Sequence, residues 1–107
     1  MNTDIKKKKP EIHPAADADL DHLFQWLREK GCSLETLIKF LDAVEEAKAK
    51  IRDNPETWSR VSGSNKVRKV QVKSFRMTVF YLVRKNKVPL ILEFAGPGLV
   101  PRWANRL

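Results

Sequence analysis

The sequence predicts an α+β domain: a short N-terminal strand, a two-helix antiparallel hairpin, then an antiparallel β-meander packed on the helices. Three observations predict it. Apolar residues recur at helical spacing between residues 14 and 53 and at strand spacing from 67 to 95. The two regimes follow one another rather than interleave, which marks α+β and not alternating α/β units. The chain has 107 residues, 42% of them hydrophobic and 32% charged, which suits one folded domain and excludes a disordered chain.

Taken in order, residues 1–9 include Lys6-Lys7-Lys8-Lys9 and read as a flexible basic tail, either solvated or adding nonspecific phosphate affinity. The single domain then covers 10–107. Pro10 to His13 suits a short edge strand, where proline is tolerated. Pro14 stands at a first helical position with Asp17, Asp19 and Asp21 after it, favourable near a helix N-terminus. Leu20, Leu23, Phe24 and Leu27 share a face, and Gly31 after Arg28 and Lys30 stops a helix over 14–30. Residues two apart do not share a helical face, so the three aspartates read as solvated rather than as a metal cluster. Ser33 is the N-cap of a second helix with Leu37, Phe40, Leu41, Val44, Ala47 and Ile51 inward, ended by Asp53-Asn54-Pro55. A link this short folds the helices back on each other.

Ser62-Gly63-Ser64-Asn65 is a turn cluster. Val67 to Lys73 alternates, with Val70 and Val72 on one face and Lys69, Gln71 and Lys73 on the other. Arg76 opens the next strand. Met77 to Arg84 is apolar on both faces, the mark of a central strand covered on two sides. Lys85-Asn86-Lys87 is a hairpin connection and Val88 to Ala95 the last strand, with Pro89 at an unpaired or bulged position. Gly96-Pro97-Gly98 ends the sheet.

Charge is divided unevenly. The chain carries 21 Lys and Arg against 13 Asp and Glu, a net charge of +8. Residues 1–56 hold 10 basic and 12 acidic side chains, whereas residues 57–107 hold 11 basic side chains and one acid, Glu93. Such a half-chain suits a polyanion or an acidic protein segment. No apolar run approaches the roughly 20 residues that cross a bilayer, and MNTDIKKKKP is not followed by the apolar stretch of a secretory signal. With the lone Cys32 suited to a reducing compartment, a cytoplasmic protein without a membrane partner is expected. One Cys with His13 and His22 gives no zinc spacing, and no glycine-rich phosphate cradle occurs. No metal or cofactor is therefore expected.

What remains is the basic sheet face. Lys69, Gln71 and Lys73 project from one side of a strand, Arg76 and Arg84 bracket the next, and Arg102 and Arg106 lie four apart beside Trp103. Cations meet phosphates and an aromatic ring stacks on bases, so these eight residues are candidates for binding a nucleic acid or another target. Arg and Lys can also promote phosphodiester cleavage, Arg by stabilising charge on phosphorus and Lys by moving protons. The alternative is a solvated basic face with Trp103 packed in the core. Glu93 reads as the ion-pair partner of a neighbouring Arg.

Several stretches resemble a known family. Glu11 to Leu20 looks like the first strand and helix start of RelE/ParE-type toxins, and Phe40 to Ala47, continuing to Asp53-Asn54-Pro55-Glu56, is similar to their second helix. Val67 to Val72, Phe75-Arg76 and Val79-Phe80-Tyr81 resemble the family's strands, and Pro101-Arg102-Trp103 with Arg106-Leu107 resembles its closing P-x-Y-W-x-x-R-L pattern. The resemblance covers residues 10–107. It implies the toxin of a bacterial type II toxin–antitoxin system (plasmid stabilisation protein-like), with a β-α-α-β-β-β fold and a cognate antitoxin that blocks it. The implied targets are DNA gyrase for the ParE-like branch and ribosome-bound mRNA for the RelE-like branch. Lys69 and Arg76 match basic residues that serve the RNA-cleaving branch and would be catalytic in a ribosome-dependent mRNA endoribonuclease. Gln71 stands where that branch often carries a second Lys, Ala95-Gly96-Pro97-Gly98 lacks its basic residue, and its terminal Tyr has no counterpart. The helices and the Trp-Arg-Leu ending lean toward the ParE-like side. A non-enzymatic nucleic-acid-binding module using the same basic face is the other reading.

Overall fold

Pro14 supplies a preset φ at the first position of helix α1 (Pro14–Glu29), and the preceding His13 caps it, its ring Nδ1 accepting the Ala15 N–H at 3.0 Å. Helix α2 (Leu34–Asp53) is capped by Ser33, whose hydroxyl accepts the Thr36 N–H at 3.2 Å. These details come from a computed structural model that describes residues 8–98 and 100–107. Most of the basic tail expected over 1–9 thus lies outside the described residues. A two-residue strand β1 (Glu11–Ile12) precedes the helices, and β2 (Val67–Val72), β3 (Met77–Val83) and β4 (Pro89–Ala95) follow them. One-turn 3-10 helices occupy Lys73–Phe75 and Trp103–Arg106.

The sheet order is β1-β4-β3-β2. The last three strands form the expected antiparallel meander. Strand β1 lies parallel to β4, pairing Glu11 with Leu90 and Ile12 with Ile91, so the four-stranded sheet is mixed. Two helices on this sheet give the α+β architecture the sequence predicts. Both pack on one face: Phe40, Val44, Ala47 and Ile51 of α2 and Leu27 of α1 join Val70, Val79, Tyr81, Ile91 and Phe94 in one cluster. The opposite face holds a smaller cluster of Val67, Phe80, Leu92 and Ala95, with Trp103 packed against it. Strand β3 is therefore covered on two sides, as its continuous apolar run requires. No described helix is long and apolar enough to cross a membrane.

Five local expectations are corrected. Asp19 is not solvated: it is 4% exposed, because it follows Ala16 by three residues and precedes Leu23 by four on the core-facing line of α1. Asp17 and Asp21, two residues either side, are exposed as expected. Leu41 is half-exposed, and Ala43 takes its place inward. Strand β2 ends at Val72, so Lys73 leaves the alternation and Arg76 caps a turn instead of opening a strand. Pro89 is neither unpaired nor bulged: it opens β4 opposite Val83, where its missing N–H is tolerated. The irregularity falls at Phe80/Tyr81, where Leu92 is an extra residue in β4.

Candidate functional site

The register Val72↔Met77 leaves four residues, Lys73 to Arg76, to reverse the chain between β2 and β3. They form a 3-10 turn closed by the Arg76 N–H donating to the Lys73 carbonyl at 3.3 Å. Closure puts Arg76 at φ 51° and ψ 33°, a left-handed conformation costing a non-glycine residue about 1 kcal/mol. The turn holds both cations in the open: Lys73 and Arg76 are exposed and, with Gln71, Val72, Met77 and Thr78, line a cleft of about 310 Å³. Lys69 lies two residues before Gln71 on the same strand face, its backbone opposite Phe80. Among the described residues, Lys69, Lys73 and Arg76 have no carboxylate partner.

The other predicted residues are placed elsewhere. Arg84, at the far end of β3, pairs with Glu11 of β1. Arg106 is 11% exposed, and its Nη1 and Nη2 donate to Asp19 at 2.6 and 3.2 Å while Nη1 also reaches the Leu92 carbonyl at 2.9 Å. That hydrogen bond to Asp19 raises the Arg106 guanidinium above its ordinary value against the opposing effect of burial. Arg102 donates to Asp19 at 3.3 Å, and its Nε stands 3.8 Å from Glu93, the ion-pair role expected for that carboxylate. The Arg102 backbone N–H donates to Glu93 at 2.7 Å. Trp103 is half-buried and packs on Phe80 with ring centres 6.4 Å apart. The structure thus brings Gln71, Lys73 and Arg76 together around one cleft, leaves Lys69 further back along β2, and uses Arg84, Arg102, Trp103 and Arg106 to tie chain segments down.

Sequence reasoning missed Asp19, which accepts the Phe94 N–H at 3.1 Å as well as both arginines. The detectable signal was its spacing from Ala16 and Leu23. It also missed a second cleft of about 330 Å³ between α1 and the exit of β4, lined by His22, Trp26, Pro97 and Arg102 among others. A tryptophan on the solvent side of an amphipathic helix was the clue there.

The cationic cleft can neutralise negative charge on a partner. Its lining offers no carboxylate, imidazole or phenol. The chain's single tyrosine, Tyr81, is fully buried, donates its hydroxyl to the Pro55 carbonyl at 2.6 Å, and is pushed up to about 12, chiefly by burial. It cannot serve there as a proton donor near neutrality. No group of three or more His, Cys, Asp or Glu among the described residues could hold a metal ion. Comparison of the chain with family models, with curated proteins and with solved structures gives no match.

Proposed function

We propose that the chain is the toxin of a type II toxin–antitoxin pair of the RelE/ParE type, acting by binding its target through Lys69, Gln71, Lys73 and Arg76. The observation that carries the reading is the exposed, unpartnered cation cluster at the β2–β3 turn, with Arg76 held in a left-handed conformation to complete it. Strain retained beside a binding cleft is a common mark of a functional position. The element order and the motifs along residues 10–107 supply the family side of the reading. The described cleft lining carries no carboxylate, imidazole or phenol beside its cations, which favours inhibition by binding, with DNA gyrase as target, over cleavage of ribosome-bound mRNA. The cognate antitoxin covers the same cations, and both partners meet the toxin in the cytoplasm.

Two assays on the purified chain test the target. Inhibition of gyrase supercoiling with accumulated cleaved DNA, relieved by Arg76→Ala, is the expected result. Normal supercoiling together with cleavage of mRNA on translating ribosomes would replace this reading with the endoribonuclease. Inertness in both, with DNA affinity falling by roughly 0.9 log units per log salt for each phosphate neutralised, would leave a nucleic-acid-binding module.

A further inference from the structure

The cleft between α1 and the exit of β4 differs in character from the cationic cleft. Its walls are apolar: Leu23 and Trp26 from α1, Phe94 from β4, and the Gly96-Pro97 bend. Trp26 is 50% exposed and so leaves much of its ring uncovered. The polar groups gather at one end, where Asp19, His22 and Arg102 line the cleft. Asp19 has little left to offer a ligand. Its Oδ1 accepts from Arg102 and Arg106, and its Oδ2 accepts from Arg106 and the Phe94 N–H. Arg102 is the reverse: its side chain is 55% exposed, its Nη2 bonds Asp19 and its Nε faces Glu93 at 3.8 Å, which leaves its Nη1 without a described partner. The polar end therefore presents donors. Lys30 Nζ lies over the Trp26 ring, 5.3 Å from its centre, and adds positive charge beside it.

A volume near 330 Å³ sits at the small end of the range for small-molecule sites. Apolar walls, one half-open indole and a donor end select a flat ring bearing an anion on a short arm. We propose that this cleft binds such an aromatic anion, the ring lying against Trp26 and Pro97 and the anionic group meeting Arg102 and His22. Two sources share this chemistry: a nucleoside 5′-monophosphate, and an aromatic amino-acid carboxylate such as a peptide C-terminus. The site is separate from the cationic cleft, and it stands whether or not the chain is a toxin.

Calorimetric titration of the full chain tests it, with adenosine 5′-monophosphate and N-acetyl-L-tryptophan as probes and adenosine and N-acetyl-L-tryptophanamide as their uncharged counterparts. Saturable one-to-one binding of at least one anionic probe is expected, with the uncharged counterpart bound roughly tenfold more weakly. The charge comparison leaves the fold untouched, which Arg102 substitutions do not, because Arg102 also holds Asp19 and Glu93. Trp26→Ala, at a half-exposed position, should weaken the anion roughly tenfold through loss of the stacking surface. The preferred probe identifies the source. Failure of both anions to saturate, equal affinity for charged and uncharged probes, or binding unchanged in Trp26→Ala would each overturn the proposal.

Discussion

Asp19 joins the two ends of the domain. It lies in the second turn of α1, yet it accepts from Arg102 and Arg106 near the chain's end and from the backbone of β4. A buried charge is tolerated only when paired and hydrogen-bonded, and removing one partner strands the other in a poorly solvated place. Asp19→Ala should therefore cost about 3–5 kcal/mol of unfolding free energy, measured by urea denaturation, while Asp17→Ala changes it little. Tyr81 gives a second test. Its phenol is pushed up to about 12 in the folded chain, against about 10 when exposed. Between pH 10 and 12 the unfolded chain releases a proton that the folded chain keeps, so this group's contribution to stability declines as pH rises through that window. Below pH 10 the contribution is constant. Tyr81→Phe removes this decline, so the stability gap between the wild-type chain and Tyr81→Phe should narrow between pH 10 and 12. A gap that stays constant would contradict the burial of the phenol.

The β2–β3 turn combines two demands on one residue. Arg76 must close the reversal at positive φ and present a cation. Glycine satisfies the first demand without a Cβ penalty, and alanine satisfies neither. Arg76→Gly should stabilise the fold by up to about 1 kcal/mol, whereas Arg76→Ala should leave stability nearly unchanged, and both should lose target inhibition. A destabilising Arg76→Gly would mean that the turn is not held in that conformation. Much of the element plan was legible: Pro14, Ser33 and Asn54-Pro55 bound the helices where local chemistry places them, and both faces of β3 are apolar because both are covered. The turn geometry was not, since Lys73 continues the alternation on paper and only pairing of Val72 with Met77 ends the strand before it. Parallel pairing of β1 with β4 is equally a tertiary fact, fixed by where the two helices return the chain. The candidate site was half legible for the same reason. The strand period placed Lys69 and Gln71 on one face and Glu93 was expected to pair with a nearby Arg, but no local pattern shows that Arg84 reaches Glu11 or that Arg102 and Arg106 reach Asp19.

At the scale of the whole molecule, the charge division acquires a geography. Of the cations in residues 57–107, Arg84, Lys87, Arg102 and Arg106 are matched by Glu11, Glu56, Asp19 and Glu93, three of which come from the first half of the chain. The two halves are thereby stitched together. Arg60, Lys66, Arg68, Lys69, Lys73, Arg76 and Lys85 are left with no described carboxylate partner, and of these Lys73 and Arg76 share one cleft. An excess of one sign steers an oppositely charged partner to that half of the chain. The most direct measurement of the central claim is bacterial growth after induction of the chain, with and without Lys73→Ala/Arg76→Ala. Arrest by the wild-type chain and at least tenfold recovery of viable cells with the double variant, at equal folded protein level, is the expected result. Unimpaired growth on induction of the wild-type chain, or arrest undiminished in the double variant, would contradict it.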